Sequence, residues 1–215
     1  MTAIADALAG ESAALVVRAL LDFRSLWTTH DLVSTTGVPA AAVRRVVERL
    51  DRESLVERRA PGVVAVPSWL DLLRRWNDDA HFTQQVHLSY WRTTRNPHAL
   101  LERIAVTPVR HAVTGCHAAQ SWAPSTPAGP LVVYTPDARA AATLWDLTPA
   151  RRTSVILAEP RAKSVYTRSR RADSGLRLAA PAQVLADLLT GATRSPSDAE
   201  PLTDWMLEHE LEWRY

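Results

Sequence analysis

The chain of 215 residues is poor in cysteine, lysine and glycine. It has a single cysteine, Cys116, a single lysine, Lys163, and seven glycines. A single cysteine excludes a disulfide framework within the chain and favours a reducing compartment. No apolar run approaches the length of about 18 residues that a membrane-spanning helix needs. The first nine residues carry Asp6 and no Lys or Arg, which is unlike a secretory signal. We therefore expect a cytoplasmic protein with no membrane partner.

Several catalytic and cofactor-binding motifs are also missing. The sequence contains no Gly-rich phosphate-binding loop, no dinucleotide fingerprint and no Gly-x-Ser-x-Gly motif. The spacing of His111, Cys116 and His117 matches no standard zinc arrangement and lacks an evident fourth ligand. We therefore predict a protein that is not an enzyme and has no catalytic residue, cofactor or metal site.

Charge is nearly balanced, but its composition is unusual. Of 25 basic residues, 24 are arginine, and the formal net charge is +2. A high-GC genome produces such a bias without selection on the protein. Arginine also binds phosphate and guanine through two parallel hydrogen bonds. Composition alone leaves both explanations open.

The first 40 residues predict two helices separated by a short strand. Apolar periodicity predicts a helix over residues 2–23, and residues 25–27 predict a brief strand. Thr28 is a typical helix N-cap, and Asp31 three positions later makes an Asp variant of the capping box. Gly37 is expected to end this second helix after about residue 35.

A third helix and two strands follow. Pro39 suits the first turn of a helix running to about residue 53, whose apolar face is formed by Val43, Val46, Val47 and Leu50. Residues 55–59 and 63–66 predict two strands around a Pro-Gly turn. This order of elements is that of a winged helix-turn-helix, which we assign to residues 1–77.

The rest of the chain, residues 78–215, alternates short strands and helices in an irregular order. This order predicts a mixed α/β C-terminal domain, so the expected fold class is α+β. The predicted strands are residues 87–92, 110–114, 131–134, 154–157 and 164–168. The predicted helices are residues 97–104, 116–122, 138–144, 181–189 and 198–210, with Pro181 and Gly191 bracketing one of them as a first-turn proline and a C′ glycine.

A helix-turn-helix inserts the N-terminal part of its second helix into the DNA major groove. Arg44 and Arg45 on the outer face of that helix would pair with guanine edges or phosphates, and the two arginines of the wing would contact the backbone. The predicted DNA-binding residues are Thr29, His30, Pro39, Ala40, Ala41, Arg44, Arg45, Arg49, Arg58, Arg59 and Gly62, with Arg52, Arg74 and Arg75 as further backbone candidates. The expected partner is double-stranded DNA. A homodimer is also expected, because palindromic operators match a twofold protein symmetry.

Ser54 stands just before the first wing strand, where such domains usually carry glycine. If its backbone is left-handed, serine costs about 1 kcal/mol relative to glycine.

Two alternatives remain open. Winged helices also serve as protein-interaction modules. Acidic Glu48, Asp51, Glu53 and Glu57 nearly balance the local arginines, and paired with Arg49 or Arg52 they would form a solvated helical face. Separately, Asp137, Glu159 and Lys163 follow two predicted strands, as the Mg²⁺-binding acids and lysine of restriction-type nucleases do. Here the second acid and the lysine are four positions apart across a proline, a wider spacing than that pattern has.

A second basic run, residues 161–177, is either an extension of a nucleic-acid surface or a solvated hairpin.

The layout resembles the AbiEi-type antitoxins and related bacterial regulators. The resemblance rests on residues 28–66, on Val-Thr-Gly-Cys-His-Ala-Ala at 113–119, and on residues 179–189 followed by an acidic helix ending at Trp213. Pro181, Gln183 and Asp187 are its most distinctive residues. It implies a cytoplasmic DNA-binding protein that represses its own operon. It also implies a neighbouring nucleotidyltransferase-like toxin that is countered without stable toxin–antitoxin binding.

Overall fold

The computed structural model describes residue 8 and residues 10–94, 96–151, 153–191 and 196–215. Helices and strands are mixed in an α+β arrangement, which confirms the predicted class. The chain divides into two compact units, one of the described residues up to Ala80 together with His209–Tyr215, the other of His81–Glu208. Within the described ranges, no helix has both the length and the apolar character needed to cross a membrane.

The described residues of the first unit form four helices and a small sheet, followed by a short C-terminal helix. In chain order the elements are α1 (Glu11–Asp22), β1 (Trp27–Thr28), α2 (Thr29–Thr36), α3 (Ala40–Arg52), β2 (Glu57–Ala60), β3 (Val63–Ala65), α4 (Trp69–Asp79) and the C-terminal helix (Glu210–Trp213). The predicted first helix began at residue 2, and residues 2–7 and 9 lie outside the described part of the chain.

Local hydrogen bonds explain where α2 begins and ends. The Thr28 hydroxyl accepts a hydrogen bond from the Asp31 amide at 3.1 Å, and the Asp31 carboxylate accepts one from the Thr28 amide at 3.0 Å. This pair is the predicted capping box. Gly37 ends the helix with a φ of +71°, a left-handed conformation that glycine adopts without steric cost.

The core of the first unit is formed where α1, α2, α3 and α4 bury their apolar faces. Leu20, Leu32, Val43, Leu50 and Leu72 are all fully buried. On α3, Val43 and Leu50 face this core, whereas Val46 and Val47 are only partly buried. The opposite face of α3 is left in solvent.

The small sheet is antiparallel, with strand order β1-β3-β2. Trp27 of β1 pairs with Val64 of β3, and Arg58 of β2 pairs with the same residue from the other side. The register shifts between Arg58 and Ala60, so Arg59 lies in an irregular part of an edge strand. The turn between β2 and β3 contains Gly62 at a φ of +75°.

Ser54, in the turn between α3 and β2, has a φ of +58°. Its amide donates to the Asp51 carbonyl at 3.0 Å. The left-handed conformation considered from the sequence is therefore present, and the residue that adopts it is a serine.

The last seven residues pack within the first unit, although the sequence-based division placed them with residues 78–215. Trp213 meets Trp69 edge to face, with ring centroids 5.0 Å apart. The Arg214 guanidinium donates to the carbonyl oxygens of Leu21 at 2.8 Å and Leu20 at 3.0 Å. These carbonyls belong to the last turn of α1, where no intrahelical donor is available.

The second unit is built on a seven-stranded mixed sheet with the order β7-β4-β8-β6-β5-β10-β9. Its elements are α5 (Phe82–Gln85), β4 (Val86–Thr93), α6 (Pro97–Val106), β5 (Ala112–Thr114), α7 (Gly115–Ala119), β6 (Leu131–Tyr134), α8 (Ala138–Trp145), β7 (Leu147–Pro149), β8 (Val155–Pro160), a 3₁₀ helix (Lys163–Tyr166), β9 (Arg170–Arg171), β10 (Arg177–Leu178), α9 (Pro181–Thr190) and α10 (Pro196–Glu208). The pairs β6–β8 and β5–β10 are parallel, and the other pairs are antiparallel.

Two local predictions in this unit are wrong. Residues 164–168 do not form a strand, because Ser164, Val165 and Tyr166 are buried consecutively in the 3₁₀ helix. Gly191 is not a left-handed C′ residue, since its φ is −70°. A Cβ at Gly191 would lie 2.5 Å from the Asp187 carbonyl oxygen, so close approach of the backbone explains this glycine.

Candidate nucleic-acid interface

The turn between α2 and α3 sets the direction of α3 relative to α2. The Thr36 hydroxyl donates to the Leu32 carbonyl at 2.6 Å and accepts a hydrogen bond from the Val38 amide at 3.2 Å. Val38 is buried, which anchors the turn in the core. Pro39 then occupies the N-cap of α3 with a φ of −56°, close to the value that the proline ring imposes and suited to a helix start.

The outward face of α3 carries two arginines without partners. Arg44 and Arg45 are both exposed. Within the described ranges, no residue forms a hydrogen bond or ion pair with either guanidinium. Pro39 and Ala41 are exposed beside them, and Ala40 is half-buried. The N-terminal half of α3 therefore presents two uncompensated charges next to small apolar side chains.

The hairpin of β2 and β3 carries two further exposed arginines, each paired with a carboxylate. Arg58 contacts Asp51 at 2.7 Å, and Arg59 contacts Glu57 at 2.6 Å. The arginine side chains are 55% and 56% exposed, so these are surface pairs that contribute at most about 1 kcal/mol each to stability. Gly62 is exposed at the tip of this hairpin.

Arg49 is placed differently from the other predicted contacts. Its guanidinium lies 3.0 Å from Glu53 and 3.5 Å from Asp79, and its side chain is 15% exposed. Arg75 contacts the same two carboxylates, at 2.7 Å and 3.2 Å. These four side chains form an ion network that joins α3 to α4. Arg49 and Arg75 therefore have a structural role, whereas Arg52 and Arg74 are exposed.

Thr29 and His30 form the first turn of α2, where Thr29 is half-buried and His30 exposed. A helix N-terminus attracts anions. Here the Asp31 carboxylate already occupies it, and hydrogen bonds from the Thr28 hydroxyl and amide lower the pKa of Asp31. We therefore place no phosphate at this N-terminus, and Thr29 and His30 lie at its flank.

Both acids of the nuclease hypothesis accept hydrogen bonds from backbone amides in the first turn of α8. Asp137 accepts a hydrogen bond from the Ala140 amide at 2.8 Å, and Glu159 accepts one from the Ala138 amide at 3.0 Å. They come together because β6 and β8 are adjacent parallel strands. In the part of the chain that the structure describes, no three His, Cys, Asp or Glu side chains are grouped to hold a metal ion.

The two C-terminal segments that carry the family resemblance meet in the core of the second unit. The buried Asp187 carboxylate accepts hydrogen bonds from Thr114, from Tyr134 at 2.8 Å and from Gln183 at 2.8 Å. Three donors satisfy a carboxylate that burial would otherwise disfavour. Thr114 belongs to the first segment, and Gln183 and Asp187 belong to the second.

Sequence reasoning missed the contacts that hold α3 in position. Thr36 and Val38 hold the turn, and the pairs Arg49–Asp79 and Arg75–Glu53 hold α3 against α4. The spacing of four residues between Arg49 and Glu53, on the helix predicted to run to about residue 53, was an available signal.

Compared with known proteins, the chain matches no family model, no curated protein and no solved structure.

Proposed function

We propose that the first unit is a winged helix-turn-helix that binds double-stranded DNA, and that the chain is a non-enzymatic transcriptional regulator. The observation that carries this proposal is the pair Arg44 and Arg45. Both lie exposed on the N-terminal half of α3, and no described residue engages them. The N-terminal part of the recognition helix is where helix-turn-helix proteins contact base edges.

The topology of the unit supports this assignment. Helices α1, α2 and α3 pack together, and the β2–β3 hairpin follows α3 directly. Strand β1, which lies between α1 and α2 in the chain, is the third strand of the small sheet and pairs with β3. A recognition helix followed by a hairpin with exposed arginines is the arrangement of a winged helix.

The residue types suggest how the affinity for DNA is divided between base contacts and phosphate contacts. Arg44 and Arg45 can each hold a guanine or a phosphate with two hydrogen bonds. Ala40 and Ala41 offer only apolar contact to thymine methyl groups. Arg58 and Arg59 on the hairpin suit the phosphate backbone. With so few base contacts per half-site, phosphate contacts should supply most of the affinity and make it strongly dependent on salt.

The test is binding of the full-length chain to the DNA upstream of its own gene, compared with a shuffled duplex, over a series of salt concentrations. Tight, sequence-selective binding with a steep salt dependence is expected. Arg139→Ala is a matched control, because Arg139 is an exposed arginine on α8 of the second unit.

Three results would contradict the proposal. Absence of duplex binding at low salt would favour a winged helix that binds a protein. Equal binding to both duplexes would exclude a sequence-selective regulator. Shortening of the DNA, abolished by Asp137→Ala or Glu159→Ala, would favour a nuclease.

The cellular role we propose is repression of the chain's own operon, as the resemblance to AbiEi-type antitoxins implies. A reporter driven by the upstream DNA should be repressed by the chain and released by Arg44→Ala. A neighbouring nucleotidyltransferase-like gene that is toxic only without this chain would support the antitoxin role. Neutralisation of that toxin by the Arg44→Ala variant would separate the antitoxin role from DNA binding.

A further inference from the structure

The second unit contains a cavity of about 470 Å³ between the segment before β5 and the β9–β10 hairpin. This volume is within the range of about 300–1,000 Å³ that small-molecule sites have. The polar and charged residues used below all line it, namely Arg110, His111, Tyr166, Ser169, Arg171 and Arg177. None of them belongs to the proposed DNA interface.

His111 offers a hydrogen-bond acceptor that nothing uses. The residue is 6% exposed, and its Nδ1 lies 2.8 Å from the Val109 carbonyl oxygen. A carbonyl only accepts, so Nδ1 carries the proton and Nε2 of the neutral ring is an acceptor. Burial, together with the charges of Arg177 and Arg171, lowers the pKa of His111 and keeps the ring neutral. The buried Nε2 atom has no partner among the described residues.

Tyr166 contributes a second unused polar atom. Its hydroxyl is buried and has no hydrogen-bond partner in the described ranges. Burial raises the pKa of Tyr166 to about 12, so the hydroxyl stays protonated and can donate. Buried polar atoms without a partner cost about 1–3 kcal/mol each. His111 and Tyr166 line the cavity, but Nε2 and the hydroxyl are themselves closed to solvent, so a ligand reaches them only when the side chains around them shift.

Three arginines supply uncompensated positive charge around the cavity. Arg110 stacks over the Tyr166 ring, with its guanidinium carbon 4.2 Å from the ring centroid. The Arg177 guanidinium lies 3.4 Å from the Ser169 hydroxyl. In the described part of the chain, no carboxylate forms an ion pair with Arg110, Arg171 or Arg177. A concave site lined by one sign of charge concentrates the opposite charge.

We propose that this cavity binds a small organic phosphate, such as a sugar phosphate or nucleoside monophosphate. The arginines hold the phosphate, and a hydroxyl group of the ligand donates to His111 Nε2 once the surrounding side chains move aside. Arginine suits the phosphate because its planar fork forms two parallel hydrogen bonds. The backbone of duplex DNA contains no hydroxyl donor and would leave His111 unpaired, so the observations favour a small molecule. The site is independent of the proposed DNA binding.

Calorimetric titration of the full-length chain tests the proposal with ribose 5-phosphate, adenosine 5′-monophosphate and inorganic phosphate as probes. Ribose and adenosine serve as phosphate-free controls. At least one phosphate ester should bind saturably, whereas ribose and adenosine should not bind. The double variant Arg171→Ala/Arg177→Ala should bind that ester roughly tenfold more weakly or worse, because charge-assisted hydrogen bonds are lost. Arg139→Ala should bind it normally.

The role of His111 has its own readout. On binding of the ester, the ¹⁵N resonance of His111 Nε2 should shift as the atom accepts a hydrogen bond. His111→Phe should reduce the preference for the ester over inorganic phosphate, and unfolding curves will show whether this variant keeps its fold. The proposal is overturned if neither ester binds saturably, or if the double arginine variant binds as well as the unchanged chain. Loss of duplex affinity in that variant without ester binding would instead assign the arginines to DNA.

Discussion

The Arg58 guanidinium on β2 meets the Asp51 carboxylate on α3, with Nη2 at 2.7 Å and Nε at 2.8 Å from the same oxygen. The two side chains are 55% and 30% exposed. An exposed pair of this kind contributes at most about 1 kcal/mol to stability. Its main effect is therefore positional, since it holds an arginine of the hairpin beside the proposed recognition helix.

Replacing Arg58 tests the contact between the hairpin and the DNA backbone. Arg58→Ala should weaken binding to the operator and to a shuffled duplex by similar factors, because a phosphate contact carries no sequence information. It should also reduce the slope of log K against log salt by about 1. The measurement is a salt titration of both duplexes, with Arg139→Ala as the control. An unchanged slope would remove Arg58 from the interface.

Replacing Asp51 tests the competition between its carboxylate and a phosphate for the same arginine. Asp51→Asn removes a negative charge next to Arg58, so DNA affinity at low salt should rise several-fold. The stability change should stay within about 1 kcal/mol, as expected for a surface pair. Affinity and urea unfolding are measured in parallel. A fall in affinity with unchanged stability would mean that Asp51 is needed to orient Arg58.

Replacing Arg44 or Arg45 tests direct recognition of DNA bases. Arg44→Ala or Arg45→Ala should cost about 1–3 kcal/mol in operator binding if the arginine is bidentate to a base. The loss should be smaller on a shuffled duplex. Lysine at the same position should restore phosphate attraction but not the bidentate contact. Equal losses on both duplexes, rescued by lysine, would assign these residues to the backbone.

Ser54 offers a stability test that is independent of DNA. At a φ of +58° the serine is strained, and glycine removes the steric cost. Ser54→Gly should therefore raise the free energy of unfolding of the first unit by about 1 kcal/mol. Thermal or urea unfolding measures it, with Ser54→Ala as a control that should give no gain. A less stable glycine variant would mean that the serine side chain stabilises the turn.

The lowered pKa of Asp79 leads us to expect that the first unit loses stability in acid. Partial burial opposes its ionisation, but the Leu8 amide, Arg75 and Arg49 outweigh this effect and lower the pKa of Asp79 below 3.8. Its contribution to stability is therefore complete above the ordinary carboxyl pKa and is lost as the pH falls through the lowered value. Asp79→Asn should flatten this acid dependence. Asp78→Asn, at an exposed neighbour, should leave it nearly unchanged.

The local features of the first unit were predictable because they depend on residues close in the chain. The capping box of Thr28 and Asp31 spans three positions, and its two residues have the required donors and acceptors. The end of α2 at Gly37 and the turn at Gly62 follow from backbone preferences of glycine. Tertiary packing does not need to be known for any of these.

Long-range features were not predictable by the same means. Arg214 binds the carbonyl of Leu20, which is 194 residues away in the chain. No spacing rule applies at that separation, so the sequence-based division placed the C-terminal segment with residues 78–215. The strand predicted at residues 164–168 failed because β-branched and aromatic residues also suit a short buried 3₁₀ helix.

By itself, the sequence determined the α+β class, the order of helices and strands in the first unit and the strained position of Ser54. Only the tertiary structure decided which arginines are free of ion pairs and could contact DNA, because ion pairing depends on distances through space. Arg44 and Arg45 have no described partner, whereas Arg49 is held by Glu53 and Asp79. The cavity of the second unit was decided in the same way. It brings His111 beside arginines more than 50 positions away in the chain, and no local pattern could place them together.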